Sequence, residues 1–170
     1  MPLADTLLRL AADPRLYRAK WSDQIMGEVS RSLQEKFGLS AQKVMYREGE
    51  TRRYFPEAWI TDHEDLIPAM TNHPKDRHVL AAAVRAGVKV IVTYNLKDFP
   101  RTSLAPHAIT AQGPSAFLKH LYDMAPSAVI QTPETQAAAI GQPMSYLLSR
   151  LRVNAPAFVG MIEKTIDRDE

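Results

Sequence analysis

The stretch from Asn72 to Pro100 constrains the fold most strongly, because it places a helix signal and a buried-strand signal on either side of a glycine. Asp76 stands where a helix N-terminus favours a carboxylate, and apolar residues follow it at helical spacing. Gly87 follows the last helical turn, as a left-handed terminal residue commonly does. Val88 to Tyr94 is β-branched and nearly all apolar, which is typical of a strand buried in a parallel sheet. The stretch predicts a turn, a helix, a strand and a polar loop, and therefore an α/β fold.

This order of elements predicts that two carboxylates share one edge of the sheet. A helix of about 11 residues is roughly 16 Å long, and a strand of about 7 residues is roughly 23 Å. The helix descends and the strand returns, so Asp76 and Asp98 are expected at the edge where open α/β folds bind ligands. A plain helix cap at Asp76 and a loop aspartate at Asp98 explain the pattern equally well.

Composition bounds the class of protein. The chain has 170 residues, of which 45% are hydrophobic, and this predicts one globular domain with its own core. Cysteine is absent, which excludes disulfides and thiolate zinc sites. A net charge of +2 is compatible with nucleic acid without indicating it. No run reaches the ~18 apolar residues of a membrane span. Asp5 and Arg9 interrupt the first apolar segment, so no signal peptide is predicted and a cytoplasmic location is expected.

Two further helices carry charges of interest. Ser22 or Asp23 caps a helix that runs to about Phe37, and Glu28 lies at the flank of its buried stripe, where periodicity favours a solvated glutamate. A third helix, from Ser40 to about Tyr54, is basic, and such a face is either solvated or in contact with phosphates. The basic residues of this helix are Lys43, Arg47, Arg52 and Arg53.

The remainder of the chain predicts short strands and a helical end. Residues 16–21 are interpreted as a connection, and the five histidines as structural. We expect an α/β domain over residues 1–125 and a helical extension over residues 126–170. Strands are predicted over 58–61 and 108–111, and late helices over about 127–141, 144–153 and 155–167. The dinucleotide fingerprint, the phosphate loop, the nucleophile elbow and the His-Glu-x-x-His helix are absent.

Two segments of the chain carry a recognisable motif. Residues 76–83 read Asp-Arg-His-Val-Leu-Ala-Ala-Ala, and residues 90–100 read Val-Ile-Val-Thr-Tyr-Asn-Leu-Lys-Asp-Phe-Pro. Together they resemble the core of the PIN-domain ribonucleases, and among these the bacterial proteins related to the VapC toxins. Residues 3–32 resemble the same group, and the similarity covers roughly residues 1–120. The resemblance implies a three-layer α/β/α sandwich with a parallel sheet, and an RNA substrate.

The resemblance also implies a cluster of acids that binds Mg²⁺ or Mn²⁺ for phosphodiester hydrolysis. By position, Glu28, Asp76 and Asp98 match the family's acids, and Asn95 lies in the same polar loop as Asp98. Such hard cations prefer oxygen ligands, and a bound ion activates water and neutralises phosphoryl charge. The residues expected to hold RNA are Arg77, Lys97 and Arg47. A protein antitoxin is the partner that the resemblance implies.

One departure from the family affects the expected activity. Family members begin with a hydrophobic strand that ends in an aspartate, before the segment matched here by residues 1–5. We therefore expect a form that lacks the first strand, is impaired in catalysis, and covers its strand edges in a homodimer. The alternative is a catalytically inactive PIN-like module that binds RNA or a protein. A third interpretation is an unrelated α/β binding domain whose acids are helix caps.

Overall fold

Helices dominate the computed structural model, which describes residues 2–169. The helices are α1 (Pro2–Ala12), α2 (Asp23–Glu35), α3 (Ala41–Tyr54), α4 (Arg77–Arg85), α5 (Arg101–Leu104), α6 (Pro114–Met124), α7 (Pro126–Ala139), α8 (Met144–Arg152) and α9 (Pro156–Asp169). The strands are β1 (Trp21–Ser22), β2 (Trp59–Ile60), β3 (Val90–Val92) and β4 (Thr110–Gln112). Short 3₁₀ turns occupy Pro56–Ala58, Glu64–Ala69, Pro74–Asp76, Leu96–Asp98 and Ala105–His107. No helix within residues 2–169 is long and apolar enough to cross a membrane.

The strands pair in parallel, two by two, within the described residues. Strand β1 lies parallel to β2, with Trp21 opposite Trp59. Strand β3 pairs with β4, and the hydrogen bonds from Thr110 to Lys89 and from Thr93 to Gln112 advance along both strands in the same direction. The chain therefore has the α/β class predicted from its sequence, with parallel strands.

The strands are shorter than the sequence predicted. The run from Val88 to Tyr94 forms regular strand only over Val90–Val92, because each of the two sheets has a single pairing to extend it. The segment interpreted as a connection contributes β1, whose two residues are too few for a periodic signal. The helix predictions are closer, and α7, α8 and α9 lie within about two residues of their predicted bounds.

Within the described residues the chain forms two compact units. The α4 unit comprises Ala19–Ile91 and Asn95–Ala111. Its core surrounds α4, whose Leu80 and Ala81 are fully buried. Met70, Ile91, Phe99, Leu104 and Ile109 complete this core. Helix α4 ends where Gly87 adopts φ +63°, the left-handed conformation expected of a glycine there.

The helical unit comprises Met1–Arg18, Val92–Tyr94 and Gln112–Glu170. Helix α1 packs here with α7 and α8, and Phe158 of α9 lies fully buried in the shared core. A buried polar pair adds to this packing, since the Thr6 hydroxyl donates a 2.7 Å hydrogen bond to Oε1 of Gln136. The helical character of the C-terminal segment agrees with the sequence analysis. The division at residue 125 stays a prediction.

Candidate metal centre

Asp76 lies at the junction of a 3₁₀ turn and α4, and its side chain does not act as a cap. It is the residue before Arg77, in the position where a carboxylate normally accepts a bond from a backbone N–H. Within residues 2–169, no backbone N–H at the start of α4 bonds to this carboxylate. The capping interpretation therefore leaves the side chain of Asp76 unexplained.

Asp98 is brought to Asp76 by the backbone of two turns. It ends the 3₁₀ turn Leu96–Asp98 that follows β3. Its carbonyl oxygen accepts a 3.1 Å hydrogen bond from the N–H of His73, which precedes the turn Pro74–Asp76. The side-chain amide of Asn95 donates a hydrogen bond to Oδ2 of Asp98 and so orients that carboxylate. The bond from His73 to Asp98 thus joins the turn that contains Asp76 to the turn that contains Asp98, although the two aspartates are 22 positions apart.

Three side chains form a compact group, which we call the His73 cluster (His73, Asp76 and Asp98). One ring nitrogen of His73 and one carboxylate oxygen from each aspartate lie within 4.8 Å of one another. Nδ1 of His73 is 3.8 Å from Oδ2 of Asp76. The imidazole is 47% exposed and the Asp76 side chain 24% exposed, so the cluster is open to solvent on one side.

Like charges surround Asp76. Burial raises the pKa of its carboxyl above the usual range, and the negative charges of Asp98 and Glu28 raise it further, while His73 and His78 oppose the shift. Burial disfavours the ionised form of an acid, and neighbouring carboxylates do the same. The fold therefore concentrates negative charge here at a cost that a bound cation would offset.

Glu28 approaches this group from α2. Its Oε1 lies 3.4 Å from Nε2 of His78, a residue of α4 whose side chain is only 4% exposed. Glu28 itself is half exposed and is not one of the three residues within 4.8 Å of one another. The three acids identified from the resemblance thus meet in one region, with Asp76 and Asp98 closest together. The catalytic and metal-binding roles of Glu28, Asp76, Asp98 and Asn95 stay predictions.

The sequence analysis missed the two histidines of this region. It interpreted His73 and His78 as structural, because five positions separate them and no single helical face carries both. His73 lies in the turn before α4 and His78 lies within α4, so the two rings reach the acids from different elements. The available signal was the placement of a histidine on each side of Asp76.

The predicted RNA-binding cations occupy two places. Arg77 follows Asp76 and donates a 3.4 Å hydrogen bond to the carbonyl oxygen of Asn72, and Lys97 precedes Asp98 on an exposed turn. Arg47 lies on α3, where it lines a groove of about 490 Å³ with Leu39, Gln42, Lys43 and Tyr46. The role of these three cations in binding stays a prediction.

The other two arginines of α3 are held by acids. Arg52 bonds to Asp23 at 2.6 Å and to Glu48 at 3.1 Å, and its guanidinium lies 4.2 Å from the ring centroid of Trp59. The hydrogen bonds that Asp23 accepts from Arg52 and from the indole N–H of Trp59 hold the pKa of its carboxyl below the usual range. Arg53 bonds to Glu50 at 2.8 Å. Lys43 and Arg47 are therefore the better placed cations of α3 for a polyanion.

The donor set of the His73 cluster fits a divalent cation. Carboxylate oxygens suit Mg²⁺ and Mn²⁺, and imidazole nitrogen suits first-row transition ions. Two carboxylates and one imidazole within 4.8 Å of one another would offer such an ion three ligands from the protein. The site is thus a candidate metal centre that contains oxygen and nitrogen donors.

Comparison with known proteins supports one relationship. No family model matches this chain, and no solved structure matches it. The curated protein "Putative ribonuclease VapC50" of Mycobacterium tuberculosis (strain ATCC 25618 / H37Rv) is 42% identical to it in an alignment of 109 residues, covering 56% of this chain and 64% of that relative. The match thus spans less than two thirds of the relative's length. Over the aligned residues the chain is similar to this VapC protein, which agrees with the resemblance seen in its sequence motifs.

Proposed function

We propose that this protein is a metal-dependent ribonuclease of the VapC type that hydrolyses RNA phosphodiester bonds at the His73 cluster. The observation that carries the proposal is the environment of Asp76. Its carboxylate does not cap α4, lies within 4.8 Å of a carboxylate oxygen of Asp98, and has a pKa raised by burial and by the charges of Asp98 and Glu28. A carboxylate placed at such a cost, in a relative of a protein described as a ribonuclease, is best explained by cation binding.

Asp76 and Asp98 are the residues proposed to hold a divalent ion, with Glu28 close enough to affect the charge of Asp76. An ion bound there supplies Lewis acidity and lowers the pKa of its water. The amide of Asn95 fixes the orientation of the Asp98 carboxylate by donating to its Oδ2. The half-exposed carboxylate of Glu28 is placed to accept a proton from water or to orient it.

The cations are proposed to position the RNA. Lys97 and Arg77 each adjoin an acid of the His73 cluster along the chain, so they are suited to the phosphates nearest the scissile bond. Lys43 and Arg47 of α3 are suited to phosphates farther along the strand, beside the exposed ring of Tyr46. Phosphate contacts position a nucleic acid without reading its sequence. Contacts to the bases, rather than these phosphate contacts, would select the RNA sequence that is cleaved.

Cleavage of short labelled single-stranded RNAs tests the proposal. The purified 170-residue chain is expected to cut RNA in Mg²⁺ or Mn²⁺ and to lose this activity in excess EDTA. Asp76→Asn and Asp98→Asn should each abolish cleavage while circular dichroism shows an unchanged fold. Glu35→Gln, an exposed glutamate of the same helix as Glu28, is the matched control and should cut normally.

The same experiment separates the ribonuclease from the catalytically inactive PIN-like module. Cleavage that persists in excess EDTA would contradict a metal mechanism. Binding of RNA without cleavage, unchanged by Asp76→Asn, would favour the inactive PIN-like module, which binds RNA or a protein.

A protein antitoxin and a homodimer are further proposals that follow from the resemblance to the family. Light scattering of the purified chain, alone and with a candidate antitoxin, tests both.

A further inference from the structure

The His73 cluster contains one nitrogen donor, the imidazole of His73, in addition to its two carboxylates. His73 lies on the turn before α4, and its ring reaches within 4.8 Å of a carboxylate oxygen of both Asp76 and Asp98. The ring is 47% exposed, so an incoming ion has access to it. The backbone N–H of the same residue bonds to Asp98, which fixes the start of the side chain relative to that acid.

Capping of the turn Pro74–Asp76 accounts for only part of the position of the His73 side chain. Nδ1 of His73 accepts a hydrogen bond from the N–H of Lys75, as a cap of the 3₁₀ turn Pro74–Asp76. That bond is 3.3 Å long, beyond the usual range for N–H donors. An asparagine or a serine would cap the turn as well. A cap does not require a side chain that extends toward two carboxylates.

A second histidine is directed at the same region from the interior. Nε2 of His78 is buried and, within the described part of the chain, has no hydrogen-bond partner. It lies 3.4 Å from Oε1 of Glu28, and both residues affect the charge on Asp76. Buried polar atoms are nearly always hydrogen-bonded, and the 3.4 Å contact with Glu28 is too long to satisfy this ring nitrogen fully, so it stays available to the group around Asp76.

We propose that His73 is a nitrogen ligand of the divalent ion, beside the oxygen ligands Asp76 and Asp98, and that it makes the centre selective for Mn²⁺ and Co²⁺ over Mg²⁺. The inference rests on the proposed function, because it assumes that the two aspartates hold an ion. Imidazole binds first-row transition ions well, whereas Mg²⁺ prefers oxygen ligands and retains its waters. A ligand set of carboxylates alone would give much weaker discrimination.

His73→Asn is the decisive variant. Asparagine keeps a side-chain oxygen that can accept from Lys75, so the turn retains its cap, but it removes the imidazole. We expect titration calorimetry of the variant to show at least about a tenfold loss of Mn²⁺ and Co²⁺ affinity, since even outer-shell partners of a metal cost about 10–100-fold. Mg²⁺ affinity should change by less than about threefold. His107→Asn, in a different 3₁₀ turn, is the control and should change neither.

A spectroscopic measurement makes the test independent of activity. Pulsed electron paramagnetic resonance of Mn²⁺ added to the wild-type chain should show modulation from a directly bound nitrogen, and His73→Asn should lose it. Equal loss of Mg²⁺ and Mn²⁺ affinity in the variant, or nitrogen modulation that persists, would overturn the inference. Mn²⁺ binding that Asp76→Asn and Asp98→Asn leave unchanged would instead refute the proposed function.

Discussion

The backbone N–H of His73 donates a 3.1 Å hydrogen bond to the carbonyl oxygen of Asp98. The bond joins the turn that begins α4 to the turn that follows β3. Because it lies in the main chain, substitutions of the side chains leave it in place. The arrangement of the His73 cluster can therefore be tested one side chain at a time without dismantling the two turns.

Asp76→Asn is predicted to stabilise the metal-free protein while abolishing cleavage. Burial and the charges of Asp98 and Glu28 raise the pKa of this carboxyl, so its ionised form destabilises the fold at pH 7. A neutral amide of similar size removes that repulsion. We expect a higher melting temperature in EDTA, on the scale of about 2–4 °C per kcal/mol for a chain of this size. A lower melting temperature would contradict the proposed electrostatics.

Glu28→Gln is predicted to slow RNA cleavage more than it weakens ion binding. Glu28 lies outside the His73 cluster, and its carboxylate is half exposed. Loss of a positioned acid–base group typically costs about 10²–10⁴-fold in rate. Single-turnover cleavage and Mn²⁺ titration measure the two effects. Equal rates for Glu28→Gln and Glu35→Gln would exclude a role for Glu28 in catalysis.

Asn95→Ala is predicted to reduce RNA cleavage less than Asp98→Asn does. The variant removes the hydrogen bond that orients the Asp98 carboxylate but leaves the carboxylate itself. Removing a residue that hydrogen-bonds to a metal ligand typically lowers metal affinity or activity by about 10–100-fold. The measurement is cleavage at several Mn²⁺ concentrations, and added ion should partly restore the rate. An inactive variant that no concentration restores would indicate that Asn95 contacts the reacting groups directly.

Replacing both Lys43 and Arg47 with glutamine is predicted to weaken RNA binding and to reduce its salt dependence. Each phosphate contact to a single strand contributes about 0.7 to the slope of log affinity against log salt. Filter binding at several salt concentrations should therefore give a slope smaller by up to about 1.4. Lys119→Gln, which removes a lysine paired with Asp123 outside α3, is the control for losing one positive charge and should leave the slope unchanged. The same slope in the double variant and the wild type would exclude α3 as the RNA-binding face.

Leu80→Ala is predicted to destabilise the α4 unit strongly. Leu80 is fully buried in the core that supports Asp76 and Asp98. Truncation of a buried leucine costs about 2–5 kcal/mol, part of which reflects the cavity left behind. Urea denaturation measures the change, and Val153→Ala, at a residue 78% exposed, is the control. A cost near that of the control would mean that this core relaxes around the cavity.

Local sequence signals determined the helices and the approach of the two aspartates. Helix α4 and the glycine that ends it are specified by neighbouring residues, through apolar periodicity and the left-handed conformation at Gly87. Asp76 immediately precedes this helix and Asp98 follows the next strand. The order of the elements was therefore enough to predict that the two aspartates lie close together. The similarity to a VapC protein was visible in the same residues.

Tertiary structure decided the rest. Strand β1 has only two residues, so its identity comes from its partner β2 rather than from a pattern. Periodicity favoured a solvated Glu28, and its side chain is indeed half exposed. Its contact with His78, from α2 to α4, nevertheless directs the carboxylate toward the acids. His73 joins the cluster through a hydrogen bond to Asp98, which is 25 positions away along the chain. Such contacts depend on packing between distant segments, which the order of residues within any one segment does not encode.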